Sequence, residues 1–162
     1  MGQPLNLEVQ LADPAATGHF AQQLAAALPE DAAGWTILLQ GELGAGKSSV
    51  ARAMLHALGH TGTVPSPTYT LVEPYRLARY SVYHIDLYRI ATGDELEFLG
   101  WSDMHDGLML IEWPERVPGL AQDADLRVAL SYAGDGRAVE LSALSDRGQA
   151  ILPSIKSGSV LS

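Results

Sequence analysis

The chain has 162 residues, 47% hydrophobic and 18% charged, which suits one soluble globular domain with a real core. A formal net charge of −9 excludes broad nonspecific nucleic-acid binding, and the absence of cysteine excludes disulfides and thiolate metal sites. No apolar run approaches the ~18 residues of a membrane span, and Met1-Gly2-Gln3-Pro4 has no signal-peptide layout, so the expected setting is the cytoplasm, without membrane or DNA partners.

Taken in order, Leu5 to Leu11 alternates apolar and polar residues, the pattern of a half-buried strand. Asp13-Pro14 reads as an N-cap followed by proline at the first helical position. The helix it opens runs to about Leu28, with Phe20, Leu24 and Leu28 on one face. Trp35 to Gln40 is a second, more apolar strand.

The next stretch is Gly41-Glu42-Leu43-Gly44-Ala45-Gly46-Lys47-Ser48, which fits the phosphate-binding pattern G-x-x-x-x-G-K-[ST] at every fixed position. The chemistry explains the spacing. Glycines allow successive backbone N–H groups to turn toward one anion, and the helix that follows adds its positive end. Lys47 can reach β- and γ-phosphates, and the Ser48 hydroxyl can ligate Mg²⁺. Ser49 to Leu58 is rich in helix formers, with Gly59 placed as a C-cap. These features predict binding of a nucleoside triphosphate. No guanine-reading N/T-K-x-D signature occurs, which favours ATP.

Thr61 to Thr68 holds two prolines and a glycine and reads as a loop, a candidate γ-phosphate sensor by its place after the nucleotide motif. Tyr69–Tyr75 and Tyr80–Tyr88 are strand-like and separated by only four residues, so they form an antiparallel hairpin rather than a βαβ crossover. Asp86 stands near the end of the second strand, where a carboxylate serves the metal or its waters. His84 shares its face but is read as structural, because two residues do not make a metal site. Gly93 to Leu99 predicts a short acidic helix stopped near Gly100.

Leu108 to Ile111 is an apolar run closing on Glu112, the shape of a Walker B strand whose carboxylate holds Mg²⁺. Glu115, after a proline, reads as a cap or solvated charge. Leu126–Tyr132 and Arg137–Leu141 flank Ala133-Gly134-Asp135-Gly136, a hairpin with strong turn chemistry. Ser145 to Ile155 predicts a last helix. The domain therefore spans residues 1–156, followed by a flexible tail at 157–162.

Four blocks together carry a family resemblance: the phosphate loop, Ser66-Pro67-Thr68-Tyr69-Thr70-Leu71-Val72-Glu73, His84-Ile85-Asp86-Leu87-Tyr88-Arg89, and Ile111-Glu112-Trp113-Pro114-Glu115. In this order they resemble the TsaE (YjeE) family, the bacterial ATPases of tRNA threonylcarbamoyladenosine biosynthesis. The resemblance implies an α/β fold, a P-loop NTPase-like three-layer sandwich whose mixed sheet carries antiparallel hairpins. It implies ATP/ADP and Mg²⁺ as ligands and a TsaB–TsaD-type complex as partner, with tRNA reached only through that complex. ATP hydrolysis would reset the assembly after a modification cycle at adenosine 37.

Carried over by motif, residues Gly41 to Ser49 would hold the nucleotide: Gly41, Glu42, Leu43, Gly44, Ala45, Gly46, Lys47, Ser48 and Ser49. Lys47 would contact the β/γ-phosphates, while Ser48 and Glu112 would ligate Mg²⁺. Thr68 would sense the γ-phosphate. Asp86 would position the metal shell or the attacking water. Trp113 would sit beside the site and respond to nucleotide, and Thr17 and Arg137 would contact it away from the phosphates. Two departures from the family pattern stand out. Ser48-Ser49 replaces the usual Thr-Thr and keeps the hydroxyl, and Pro65 stands where a polar residue is usual, which would stiffen the sensing loop.

The competing enzyme is a small-molecule P-loop kinase. Arginines after the phosphate loop are few (Arg76, Arg79, Arg89, then Arg116), fewer than a kinase lid requires, and the hairpin breaks the regular crossover pattern. A third reading is a nucleotide-dependent interaction module with little turnover, since no arginine is obviously placed as a finger.

Overall fold

The computed structural model describes residues 6–155 and 158–159. Its strands are β1 (Asn6–Leu11), β2 (Thr36–Gln40), β3 (Val72–Arg76), β4 (Ser81–Asp86), β5 (Gly107–Glu112), β6 (Leu126–Ala133), β7 (Gly136–Ala143) and β8 (Gly158–Ser159). They form one sheet in the order β3-β4-β5-β2-β6-β7-β1-β8. The inner strands β4, β5, β2 and β6 run parallel, whereas β3 and β7 pair antiparallel to their neighbours. This is the expected mixed α/β sheet with two hairpins.

Alternation along the central strands builds two cores. Ile37 and Leu39 of β2, with Leu108 and Leu110 of β5, join the side covered by helices α1 (Pro14–Ala27) and α2 (Lys47–Ala57). Leu38, Met109 and Ile111 face the other side, against Leu87, Leu96 and Met104. Parallel strands buried on both faces read as continuous apolar runs for this reason. Each buried Leu or Ile contributes about 1.5–3 kcal/mol.

Local chemistry sets the boundaries. Asp13 caps α1 by accepting from the Ala16 amide at 2.9 Å, and Pro14 occupies the first turn, as expected. The β6–β7 turn has Gly134 at φ +60°, a conformation only glycine adopts readily.

Two expectations shift, and a third, the short acidic helix stopped at Gly100, is met in 3-10 form. The first hairpin strand starts at Val72 rather than Tyr69, because the Leu71 amide closes a turn onto Pro67 O at 2.8 Å and Leu71 has φ +72°. The acidic segment Gly93–Leu99 is a 3-10 helix. It buries only Leu96 and has no side-chain N-cap, so no apolar stripe holds a longer α-helix. The second layer over the sheet is accordingly made of 3-10 turns at Gly93–Leu99, Trp101–Asp106, Pro114–Arg116 and Pro118–Gln122. The last helix is α3, Asp146–Ile151, and it tightens into a 3-10 turn at Leu152–Ser154 where Pro153 removes an amide donor. Within the stretch read as a tail, Gly158 and Ser159 pair in parallel with Val9 and Gln10; its other residues, and Leu5, lie outside the described residues.

Candidate nucleotide site

β2 delivers the phosphate loop at the sheet's carboxyl edge, and β4 and β5 deliver two acids beside it. The pairing register sets Asp86 directly opposite Glu112, and Glu112 opposite Leu39. Open α/β sheets place ligands at this edge.

The loop's glycines are needed where they stand. At Gly41 a Cβ would lie 2.7 Å from Leu130 O, a clash with backbone. Gly46, at φ +112°, is the N-cap of α2 and offers no side chain to its first amides. Those donors remain available to an anion. The β6–β7 hairpin braces the loop from outside: Tyr132 donates to Leu43 O at 2.9 Å and Arg137 to Gly44 O at 3.3 Å. The Arg137 guanidinium also stacks 4.4 Å from the Tyr132 ring, its cross-strand partner.

Lys47 is buried and folds back on its own loop, donating to Gly41 O and Glu42 O. Its Nζ also lies 4.0 Å from the Trp113 ring centroid. Burial lowers the Lys47 pKa, and the carboxylates of Glu112, Glu115 and Asp86 oppose that by favouring the ammonium. Ser48 Oγ donates to Glu112 Oε2 at 2.8 Å, and His84 Nε2 meets the same oxygen at 2.6 Å. Asp86 is buried and accepts from the Tyr88 amide at 2.8 Å. Burial pushes its carboxyl up; the Tyr88 bond works against this, and neighbouring Glu112 adds to it.

Two cavities adjoin across Gly44, Gly46 and Ser49. One, of about 350 Å³, is lined by Lys47, Ser48, Thr68, Asp86, Glu112 and Trp113 among others. The other, of about 430 Å³, is lined by Thr17, Arg52, His56, Asp135 and Arg137 among others. The expected triphosphate and nucleoside contacts thus fall into neighbouring compartments of one cleft, of ordinary ligand-site size. Thr68 Oγ1 bonds Ser66 Oγ at 2.8 Å, and Arg89 donates to the Thr68 and Tyr69 carbonyls at 3.3 Å, tying the loop around Thr68 to the segment after Asp86. Glu115 is exposed.

Of the only non-glycine residues with positive φ among those described, Trp113 (+59°) lines this cleft, and Leu71 (+72°) accepts through its carbonyl from the amide of Asp86, another lining residue, at 2.9 Å. Such conformations cost of order 1–3 kcal/mol and concentrate at functional sites.

No cluster of three or more His, Cys, Asp or Glu side chains forms a metal cage among the described residues. A hydroxyl and two carboxylates beside a phosphate loop suit Mg²⁺, which takes one or two protein carboxylates and completes its shell with phosphate oxygens and water. The donor set fits that ion.

A model of the family described as "Threonylcarbamoyl adenosine biosynthesis protein TsaE" matches residues 11–139. The chain belongs to the TsaE family. It is 47% identical over 118 residues to the tRNA threonylcarbamoyladenosine biosynthesis protein TsaE of Haemophilus influenzae, covering 72% of this chain and 75% of that one. The Synechocystis TsaE is 45% identical over 121 residues, covering 71% and 74%. Among solved structures, Bacillus subtilis YdiB superposes with TM-score 0.71 at 25% identity, covering 93% of each chain. The family is thus one of tRNA threonylcarbamoyladenosine biosynthesis, and no helix among the described residues is long and apolar enough to cross a membrane.

In this TsaE-family chain the sequence-predicted residues Lys47, Ser48, Thr68, Asp86, Glu112 and Trp113 meet in one compartment, with Thr17 and Arg137 in the adjoining one. Sequence reasoning missed Tyr132 and Arg89, whose partners are loop carbonyls, and it gave His84 no partner. The signal for His84 was its strand face shared with Asp86.

Proposed function

We propose that this chain is a Mg²⁺-dependent ATPase of the tRNA N6-threonylcarbamoyladenosine (position 37) modification machinery. It hydrolyses ATP to drive turnover of a TsaB–TsaD-type assembly in the cytoplasm, and it meets tRNA through that assembly. The observation that carries this reading is the convergence of Ser48, Asp86 and Glu112 beneath an intact phosphate loop.

Lys47 exchanges its loop carbonyls for β/γ-phosphate oxygens, and the uncapped start of α2 supplies further donors. Ser48 and Glu112 would hold Mg²⁺, and Asp86 would orient its waters or the attacking water. When bound, the ion neutralises charge on the β- and γ-phosphoryl oxygens. Thr68 registers the γ-phosphate. Thr17 and Arg137 take the nucleoside side.

Among the described residues, no arginine lines the compartment of Lys47 and Glu112. Arginine fingers supplied in trans raise phosphoryl-transfer rates by about 10³–10⁵, so slow turnover by the lone chain follows. The test is phosphate release by the purified chain, alone and with a TsaB–TsaD pair and tRNA. The reading expects a low rate alone and strong stimulation by the pair. Turnover near 1 s⁻¹ by the lone chain, within the typical enzyme range, contradicts partner dependence. Transfer of phosphate to an added small molecule would make the chain a kinase.

A further inference from the structure

His84 is fully buried on β4, in a strand face whose neighbouring position, Val82, belongs to the apolar core under the helices. An aliphatic side chain would suit this place, yet a ring with two polar nitrogens occupies it. Only one nitrogen has a partner: Nε2 lies 2.6 Å from Glu112 Oε2, while Nδ1 is buried without any hydrogen-bond partner among the described residues. A buried polar atom left unmatched is destabilising, so core packing and stability do not explain the residue.

Glu112 Oε2 accepts from two donors, Ser48 Oγ and His84 Nε2, and the residue is 3% exposed. Ser48 already has a role in the ATPase reading, as a ligand of the cation. If its hydroxyl turns to the ion, His84 is the donor that stays on the acid. A carboxylate oxygen can only accept, so the role requires the N–H on Nε2, the nitrogen that faces Glu112.

We propose that His84 is a positioning residue for Glu112. It grips one carboxylate oxygen from inside the core, fixes the rotation of the carboxyl group, and presents the other oxygen to the metal side of the cleft. The inference rests on the Mg²⁺-ATPase reading of the same site. Groups that hydrogen-bond metal-ligating side chains typically set metal affinity or activity by 10–100-fold.

The experiment is calorimetric binding of adenylyl imidodiphosphate at a series of Mg²⁺ concentrations, and in EDTA, with thermal melting as the control of folding. His84→Leu keeps bulk and removes the donor, whereas His84→Gln restores an N–H at about the Nε2 position. The expected result is equal binding in EDTA for all three proteins. The Mg²⁺ concentration at half-effect should rise about 10–100-fold in His84→Leu and stay near the parent's in His84→Gln. An unchanged Mg²⁺ midpoint in a folded His84→Leu overturns the proposal. If His84→Leu does not fold, His84→Asn, whose shorter amide falls short of Glu112, is compared with His84→Gln. A raised midpoint in the Asn variant alone supports the role, and equal midpoints overturn it. A parent protein whose binding gains nothing from Mg²⁺ overturns the ATPase reading itself, and this inference with it.

Discussion

Ser48 Oγ donates to Glu112 Oε2 across 2.8 Å, joining the first turn of α2 to the last residue of β5. The contact links the phosphate loop to the strand that the sequence pattern marked as a metal-bearing one. Two segments 64 positions apart meet there, because β2 and β5 are parallel neighbours in the sheet.

Lys47 is the residue on which the proposed nucleotide binding would depend most. Lys47→Ala should lose at least ~100-fold in ATP affinity, as expected for removal of two charge-assisted contacts. The fold should persist, because in the free protein the ammonium bonds only carbonyls of its own loop. Calorimetric titration with ATP checks this; retained affinity means the loop is not used for phosphate.

Asp86 carries a stability penalty. Burial disfavours its charged form and pushes its carboxyl above the usual range. The folded chain therefore holds this proton to higher pH than the unfolded chain, and the penalty is present once pH exceeds the folded value. Asp86→Asn should melt higher than the parent near pH 7.5 and show a smaller gain as pH falls toward about 4. It should at the same time lose Mg²⁺-dependent turnover. A lower melting temperature at neutral pH would contradict the account of the site as stability given up for function.

Asp125 has the opposite sign. Burial raises its pKa, but hydrogen bonds from Arg147, Ser145 and the Thr36 amide outweigh this and hold it below the usual carboxylate range. The stabilisation is present above the unfolded value, about 3.9, and is lost as pH falls through the folded one. Asp125→Ala should cost about 1–3 kcal/mol at pH 7, chiefly by leaving the buried Thr36 amide unmatched, a gap that narrows in acid. Denaturant unfolding at pH 7 and pH 3 measures both.

Trp113 should report the site. Its ring lies 4.0 Å from Lys47 Nζ and 4.8 Å from the Tyr88 ring centroid. Movement of Lys47 onto a phosphate changes the charge beside the indole. ATP should therefore alter the emission in the parent, and the change should vanish in Trp113→Phe, leaving Trp35 and Trp101 silent.

What could be read from sequence was local. The phosphate loop repeats a fixed spacing, and the hairpins declare themselves by short gaps and by Gly134 in a tight turn. The apolar run into Glu112 marks a buried strand end without any knowledge of its neighbours. What was not legible depends on distant pairing. His84 sits 28 positions from Glu112, Tyr132 sits 89 from Leu43, and Arg147 sits 22 from Asp125. Nothing in the spacing of these residues announces the contact; sheet order and the docking of α3 create it. The 3-10 layer escaped for another reason. Its segment is acidic and helix-prone, and only the lack of an apolar stripe decides against a full helix.

The most direct test of the site compares Glu112→Gln with the parent in phosphate release from ATP, both with Mg²⁺, a TsaB–TsaD pair and tRNA. Gln keeps the shape and can still accept from Ser48 and His84, while removing the charge that would hold the ion. Turnover reduced ~10-fold or more, the scale of a lost metal-site group, with an unchanged melting temperature, is the predicted result. Equal turnover would remove Glu112 from the metal site and contradict the Ser48–Glu112 pairing as its foundation.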